Sequence, residues 1–196
     1  VGFDQQNYHH LYDVFTHTAK AVETVPGELP LRWAALLHDI GKPGCFTLDA
    51  QGVGHFYGHE KESAEMASAI LRRLKAPTAL RQRVVFLIEK HMAPLEPDKK
   101  YLRRRLSRWG MDAVRQLLAL QRADRIATGT DVDDPRFARI EAILAQIEVE
   151  NACLTLKDLA IGGRELMALG YSGPAIGQTL NRLLELVIDE QVENEK

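Results

Sequence analysis

Apolar positions recur at three- and four-residue spacing along almost the whole chain, as in Leu11, Val14, Phe15 and Val22, or Met66, Ala69, Ile70 and Leu74. That is the period of a helix with one buried face. It predicts an all-α protein with helices over roughly 10–24, 31–39, 59–75, 78–91, 99–107, 111–127, 135–149, 155–160, 163–168 and 173–189. Pro30 sits where a first helical turn tolerates proline, Pro77 and Pro94 fall between helices, and Gly129 closes the long central one. One stretch breaks the period. From Cys45 to Tyr57, Phe46 and Leu48, then Asp49 to Gly52, then Val53 to Phe56 predict a short β-hairpin between two helices. A cluster of Gly, Thr and Asp over Thr128–Asp134 marks a soft boundary, giving regions 1–130 and 131–196. Trp33 and Trp109 fall within helical periods and are expected as core or half-buried anchors. The stripe Ile176, Leu180, Leu183, Leu184 and Val187 packs inward or onto a partner chain, which leaves a homo-oligomer open.

With 196 residues, 45% hydrophobic and 27% charged, the chain can bury one sizeable core and a small second lobe. No apolar run approaches a membrane span and no signal segment opens the chain, so membrane and secretory readings drop out. Cys45 and Cys153 are far apart and form no metal-binding pair, which fits a reducing cytoplasm. The first residue is Val1, which fits a processed piece or the tail of a longer chain. A net charge of −2 hides strong segregation: −5 over residues 1–71, +10 over 72–125 and −7 over 126–196. Lys99, Lys100, Arg103, Arg104, Arg105 and Arg108 put six cations within ten residues. That density attracts a phosphate backbone by counterion release, although a solvated helix face reads the same way.

All seven histidines precede residue 92, several of them beside carboxylates. His38-Asp39 closes the apolar run Ala34 to Leu37 and is followed by Ile40-Gly41-Lys42-Pro43. Neighbours on a helix point about 100° apart, so both side chains reach one point only if the helix ends there, as Gly41 permits. Imidazole nitrogen with carboxylate oxygen and no thiolate suits Mn, Fe, Co, Ni or Mg better than structural zinc. His17 lies on the preceding helix, and Asp124 on an otherwise apolar and basic one, where a buried acid needs a partner. His9, His10 and His55 are read as local packing or hydrogen-bonding residues.

The order His17, His38-Asp39, Asp124 resembles the HD superfamily of metal-dependent phosphohydrolases, helical bundles named for that His-Asp pair. The segments His10 to His17, Ala35 to Pro43, Phe56 to Glu60, His91 and Arg122 to Asp124 are similar to the HD region of bacterial tRNA nucleotidyltransferases and poly(A) polymerases. Gly170 to Gly177, continuing to Asn194, is similar to the tail of those enzymes. The resemblance implies an HD bundle with a hairpin insertion over 1–130 and a small C-terminal helical extension over 131–196. It implies one metal on His17, His38, Asp39 and Asp124, and a second on His59 and His91 with Asp39 shared, so one ion or two. Lys42 would approach a phosphate as a point charge. The nucleotidyltransferase head of that family is absent from this chain. Asp131 and Asp133 have the spacing of its metal-binding strand but sit in a loop, where they read as a cap or turn.

The leading expectation is a divalent-metal-dependent phosphohydrolase acting on phosphomonoesters, or on 2′,3′-cyclic or 2′-phosphates, of nucleotides and RNA ends. His38, Asp39 and Lys42 would be its catalytic centre. The rival is the RNA-holding body of a tRNA nucleotidyltransferase, gripping tRNA through Lys99, Lys100, Arg103, Arg104, Arg105 and Arg108. A nucleotide-signalling phosphohydrolase ranks third, because Gly170-Tyr171-Ser172 departs from the Gly-Tyr-Pro signature of the cyclic-dinucleotide type.

Overall fold

The structure, a computed structural model, describes residues 13–129 and 133–195. His9, His10, the expected start of the first helix and Asp131 lie outside the described residues. Helices α1 (Val14–Thr24), α2 (Leu29–Leu37), α3 (His59–Arg73), α4 (Thr78–Lys90), α5 (Lys99–Trp109), α6 (Met111–Thr128), α7 (Pro135–Val149), α8 (Gly163–Ala168) and α9 (Pro174–Ile188) make the fold all-α. The expected hairpin is present between α2 and α3 as strands β1 (Thr47–Leu48) and β2 (Gly54–His55), paired antiparallel with Thr47 opposite His55. Its turn is organised by Asp49, whose Oδ1 accepts from the Gln51 and Val53 amides and whose Oδ2 accepts from His55 Nε2. Among the described residues no helix is long and apolar enough to cross a membrane.

The chain divides into two compact units. One holds residues up to Pro94 together with Arg115–Asp134; the other holds Leu95–Val114 together with the residues from Pro135 on. Packing therefore groups α5 with the C-terminal helices. In the first unit α4 packs on both α2 and α3, and α1 on α2. Their shared core contains Ala21, Leu31, Ala34, Leu71, Val84, Leu87 and Ile88, to which α6 adds Leu117 and Leu120, each no more than 1% exposed. Each such leucine or isoleucine contributes about 1.5–3 kcal/mol by leaving water. Asp13 caps α1 by accepting from the Thr16 amide at 2.8 Å, an interaction worth about 1 kcal/mol.

In the second unit α5 packs on α7 and α9, and α8 on α9. The buried residues there include Leu102, Leu106, Ile140, Leu144, Ile147, Leu166, Val187 and Ile188. The α9 stripe is buried at Val187 and half-buried at Ile176, Leu180, Leu183 and Leu184. No helix forms over 155–160. Asp158 Oδ2 instead accepts from the Leu154 and Thr155 amides and from Thr155 Oγ1, a set of bonds that holds the segment as a turn.

Gly41 serves a different purpose from the one its position suggests. Helix α2 ends at His38, and Gly41 has an ordinary right-handed φ of −82°. What excludes a side chain is space, since a Cβ there would lie 2.7 Å from the Ser63 amide nitrogen and 2.9 Å from Glu62 Cβ. The Gly41 amide donates to Ser63 Oγ at 2.9 Å, drawing the turn after Asp39 onto α3. Gly41→Ala is expected to destabilise by about 1–3 kcal/mol through forced separation of the two backbones. A thermal melt should show Tm lower by about 2–12 °C, and an unchanged Tm would show that the close approach is dispensable.

Candidate metal centre

Every candidate ligand arrives from a helix end or from a helix face turned inward within the first unit. His17 lies on α1, His38 is the C-cap of α2, and Asp39 follows it in the turn. His59 opens α3, His91 is the C-cap of α4, and Asp124 lies near the end of α6. Ending α2 at His38 lets consecutive residues point to one place, as their adjacency requires.

The six side chains form two triads, His17–His38–Asp124 and Asp39–His59–His91, and within each triad the ligand atoms lie within 4.8 Å of one another. His17 Nε2 donates to Asp124 Oδ1 at 2.8 Å, with His38 Nε2 3.2 Å from the same oxygen. Asp39 stands between the triads. Its Oδ2 is 3.5 Å from His17 Nε2 and 3.4 Å from His38 Nε2, while its Oδ1 is 3.4 Å from His59 Nε2. His17, His38 and Asp39 are at most 1% exposed, whereas the Asp124 side chain is 27% exposed and marks the solvent side.

Backbone carbonyls orient three of the rings. His38 Nδ1 donates to Ala35 O at 2.8 Å, His59 Nδ1 to Phe56 O at 2.8 Å and His91 Nδ1 to Ile88 O at 2.6 Å. A carbonyl only accepts, so Nδ1 carries the hydrogen in each ring and a neutral ring presents Nε2 as a lone pair. His59 Nε2 and His91 Nε2 face each other at 3.2 Å, and His17 Nε2 and His38 Nε2 at 3.3 Å. Lone pairs and carboxylate oxygens this close need a shared proton or cation, and the donor set fits a divalent ion.

The titration behaviour of the metal-free chain expresses the same crowding. Burial alone would lower the His38 pKa, but the Asp39 charge, the Asp124 hydrogen bond and charge, and the Ala35 carbonyl raise it to about 9. Burial and then the His38 charge lower His91 to about 4. Burial opposes ionisation of Asp39, yet His38, His59 and Lys42 hold its carboxyl well below the usual range. Burial works the same way on Asp124, and hydrogen bonds from His17 and His38 overcome it.

A raised His38 stabilises the fold below its unfolded pKa of about 6.5, and this contribution fades as pH rises toward 9. A depressed His91 resists protonation, so stability also falls as pH drops from 6.5 toward 4. Chelated protein is therefore expected to melt highest near pH 6.5 and lower at pH 9 and pH 4.5. A Tm that climbs steadily to pH 9 would contradict this coupling.

Lys42 lies inside this network, with its side chain 7% exposed. Its Nζ is 2.7 Å from Asp39 Oδ2 and 5.4 Å from the centre of the Phe56 ring. A 3₁₀ turn over Lys42–Cys45 brings it back onto the aspartate three residues earlier. Gln121 was not singled out from the sequence. From α6 its Nε2 donates to His91 O at 2.9 Å and Ala93 O at 2.7 Å, fixing the end of α4 to the helix that carries Asp124. A polar residue one turn before Asp124 on an apolar helix was the available signal. His55 binds Asp49 and stacks on Tyr57, as its local reading implied.

The six α5 cations belong to the second unit. Lys99 pairs with Glu150 at 2.7 Å and Lys100 lies 3.8 Å from Asp189. Arg103, 7% exposed, donates to Glu190 at 2.7 Å and to Val187 O at 3.0 Å. Arg104 binds both oxygens of Asp189 at 2.8 and 2.7 Å. Arg105 and Arg108 have no acidic partner among the described residues.

A helical scaffold here turns buried imidazoles and carboxylates toward common points, in two groups that could each hold a metal ion. The chain belongs to the HD domain family, whose model matches residues 7–129. It is 38% identical over 197 residues, 94% of the chain and 44% of the relative, to an A-adding tRNA nucleotidyltransferase of Deinococcus radiodurans. A CC-adding tRNA nucleotidyltransferase of Thermus thermophilus is 34% identical over 98% of the chain and 44% of the relative. A multifunctional CCA protein of Azoarcus is 38% identical over 46% of the chain and 22% of the relative. The chain thus spans less than half the length of these curated relatives.

Proposed function

We propose that this chain is a divalent-metal-dependent phosphohydrolase acting on phosphate esters of nucleotides or RNA ends, with residues 1–130 as the hydrolase domain and 131–196 as an extension. The observation that supports this most is the position of Asp39, with one oxygen toward each histidine-containing triad. In this reading His17, His38, Asp39 and Asp124 hold one ion, and Asp39, His59 and His91 hold a second. The ions are Mn, Ni, Co, Fe or Mg, in keeping with nitrogen and oxygen donors. Bound ions of this kind supply a Lewis acid for phosphoryl oxygens and an acidified water near neutral pH.

The chain's own residues do the positioning. The Ala35, Phe56 and Ile88 carbonyls hold the rings of His38, His59 and His91 with Nε2 toward the centre. Lys42 holds Asp39 Oδ2 and adds positive charge where a phosphate would approach. Burial of the imidazoles keeps bulk water from screening these charges. Two relatives are named as tRNA nucleotidyltransferases, and RNA ends are the substrate class these names suggest.

The test is hydrolysis of an aryl phosphate ester and of a nucleoside 2′,3′-cyclic phosphate, with Mn or Ni and after chelation. Turnover is expected only with metal. Hydrolysis that persists undiminished in chelator would overturn the proposal.

A further inference from the structure

The α5 cations divide by what holds them. Lys99, Lys100, Arg103 and Arg104 are engaged by Glu150, Asp189 and Glu190. Arg105 is engaged by aromatic rings: its guanidinium carbon lies 4.7 Å from the Tyr101 ring centre and 4.8 Å from that of Trp109. Its Nε donates to Tyr101 Oη at 2.8 Å. Among the described residues, nothing accepts a hydrogen bond from its two Nη groups. Arg108, three residues on and exposed, has no ion-pair partner among the described residues.

Both arginines line a cleft of about 640 Å³ between α5 and α9, wholly inside the second unit. Its other charged lining residues are Arg104, Arg182, Glu185 and Asp189. Asp189 is chelated by Arg104 and Glu185 accepts from Arg182 at 3.1 Å, so both acids are already in use. Four guanidinium groups against two engaged carboxylates leave the cleft with an excess of two positive charges. The two ring contacts and the Nε bond restrain the Arg105 guanidinium, so its paired N–H groups lose less freedom on meeting a ligand. A planar donor pair beside a second cation matches a tetrahedral oxyanion.

We propose that this cleft is a phosphate-binding site, with Arg105 donating its two Nη groups to phosphate oxygens and Arg108 adding charge. The phosphate would come from an RNA backbone or from a free mononucleotide or inorganic phosphate. The cleft lies within the second unit, and the proposal does not depend on hydrolysis.

The experiment follows the Arg105 Nε–H resonance of the full chain in chelator during titration with inorganic phosphate, adenosine 5′-monophosphate and a ten-nucleotide single-stranded RNA. A saturable shift with RNA alone would assign the phosphate to a polynucleotide, and saturation by the small anions as well would assign it to free phosphates. Arg105→Lys and Arg108→Gln are each expected to weaken binding about tenfold, the effect of losing a charge-assisted hydrogen bond. For RNA, Arg108→Gln should also reduce the salt slope by about one. Arg139→Gln, on the exposed face of α7, removes one charge outside the cleft and should change affinity less than about threefold. No shift at Arg105 with any of the three probes, or equal losses in Arg139→Gln and Arg108→Gln, would overturn the proposal.

Discussion

On the proposed function, Asp39→Asn is expected to lose at least about 10³-fold in turnover, because Asp39 would help hold the ions whose charge would supply several kcal/mol of stabilisation. Both oxygens are in use, Oδ2 toward His17, His38 and Lys42 and Oδ1 toward His59. An amide keeps one oxygen but loses the charge, so metal stoichiometry should fall along with activity. The same substitution takes a carboxylate from the buried ammonium of Lys42, and breaking a buried pair typically costs about 3–5 kcal/mol. Loss of fold and loss of chemistry separate in the double variant Asp39→Asn, Lys42→Met, which removes the orphaned charge. It should regain part of the Tm and none of the lost metal stoichiometry, a readout that does not depend on the charge of Lys42 toward substrate. Recovery of the metal stoichiometry would show that Asp39 acts only as the counter-charge of Lys42.

The second large effect is stabilisation by the ion itself. Metal at 100 times its dissociation constant should add about 2.7 kcal/mol by mass action, read as a Tm increase of about 5–10 °C. His38→Ala should abolish most of that increase. Proton and metal compete for the same lone pairs, so the increase should be larger at pH 8 than at pH 6. The His38 pKa of about 9 in the metal-free chain sets the direction, since metal must displace a proton there. A Tm increase that is independent of pH and retained in His38→Ala would place the ion elsewhere.

Much of the centre was legible because its elements are separated by marked helix ends. His38-Asp39 before a glycine, and His91 before a proline, announce helix termini in the chain, and termini are where the structure puts them. The helical period carried the all-α class, and the Asp49–Gly52 segment carried the hairpin. Contacts made across long sequence separations were not legible. Nothing in the six clustered α5 cations shows that Arg104 meets Asp189 or that Arg103 meets Glu190, which lie 85 and 87 residues away. The surroundings of Arg105 depend on two rings, four residues before and four after it, that only a helix brings within reach. The packing division was hidden for the same reason, because Leu102 and Leu106 fit a core of either unit until their partners are known. Apolar spacing over 155–160 was outweighed by a single carboxylate taking the amides of Leu154 and Thr155. The position of Gly41 after His38-Asp39 suggests the conformational freedom of glycine, whereas the close approach of Ser63 and Glu62 leaves no room for a side chain there.

The most direct measurement is metal content by elemental analysis of protein purified without chelator, paired with phosphate-ester turnover on the same sample. The account predicts two divalent ions per chain and turnover that disappears when they are removed and returns when Mn or Ni is restored. Protein that takes up no ion, even after incubation with excess Mn or Ni, and that hydrolyses nothing would contradict it.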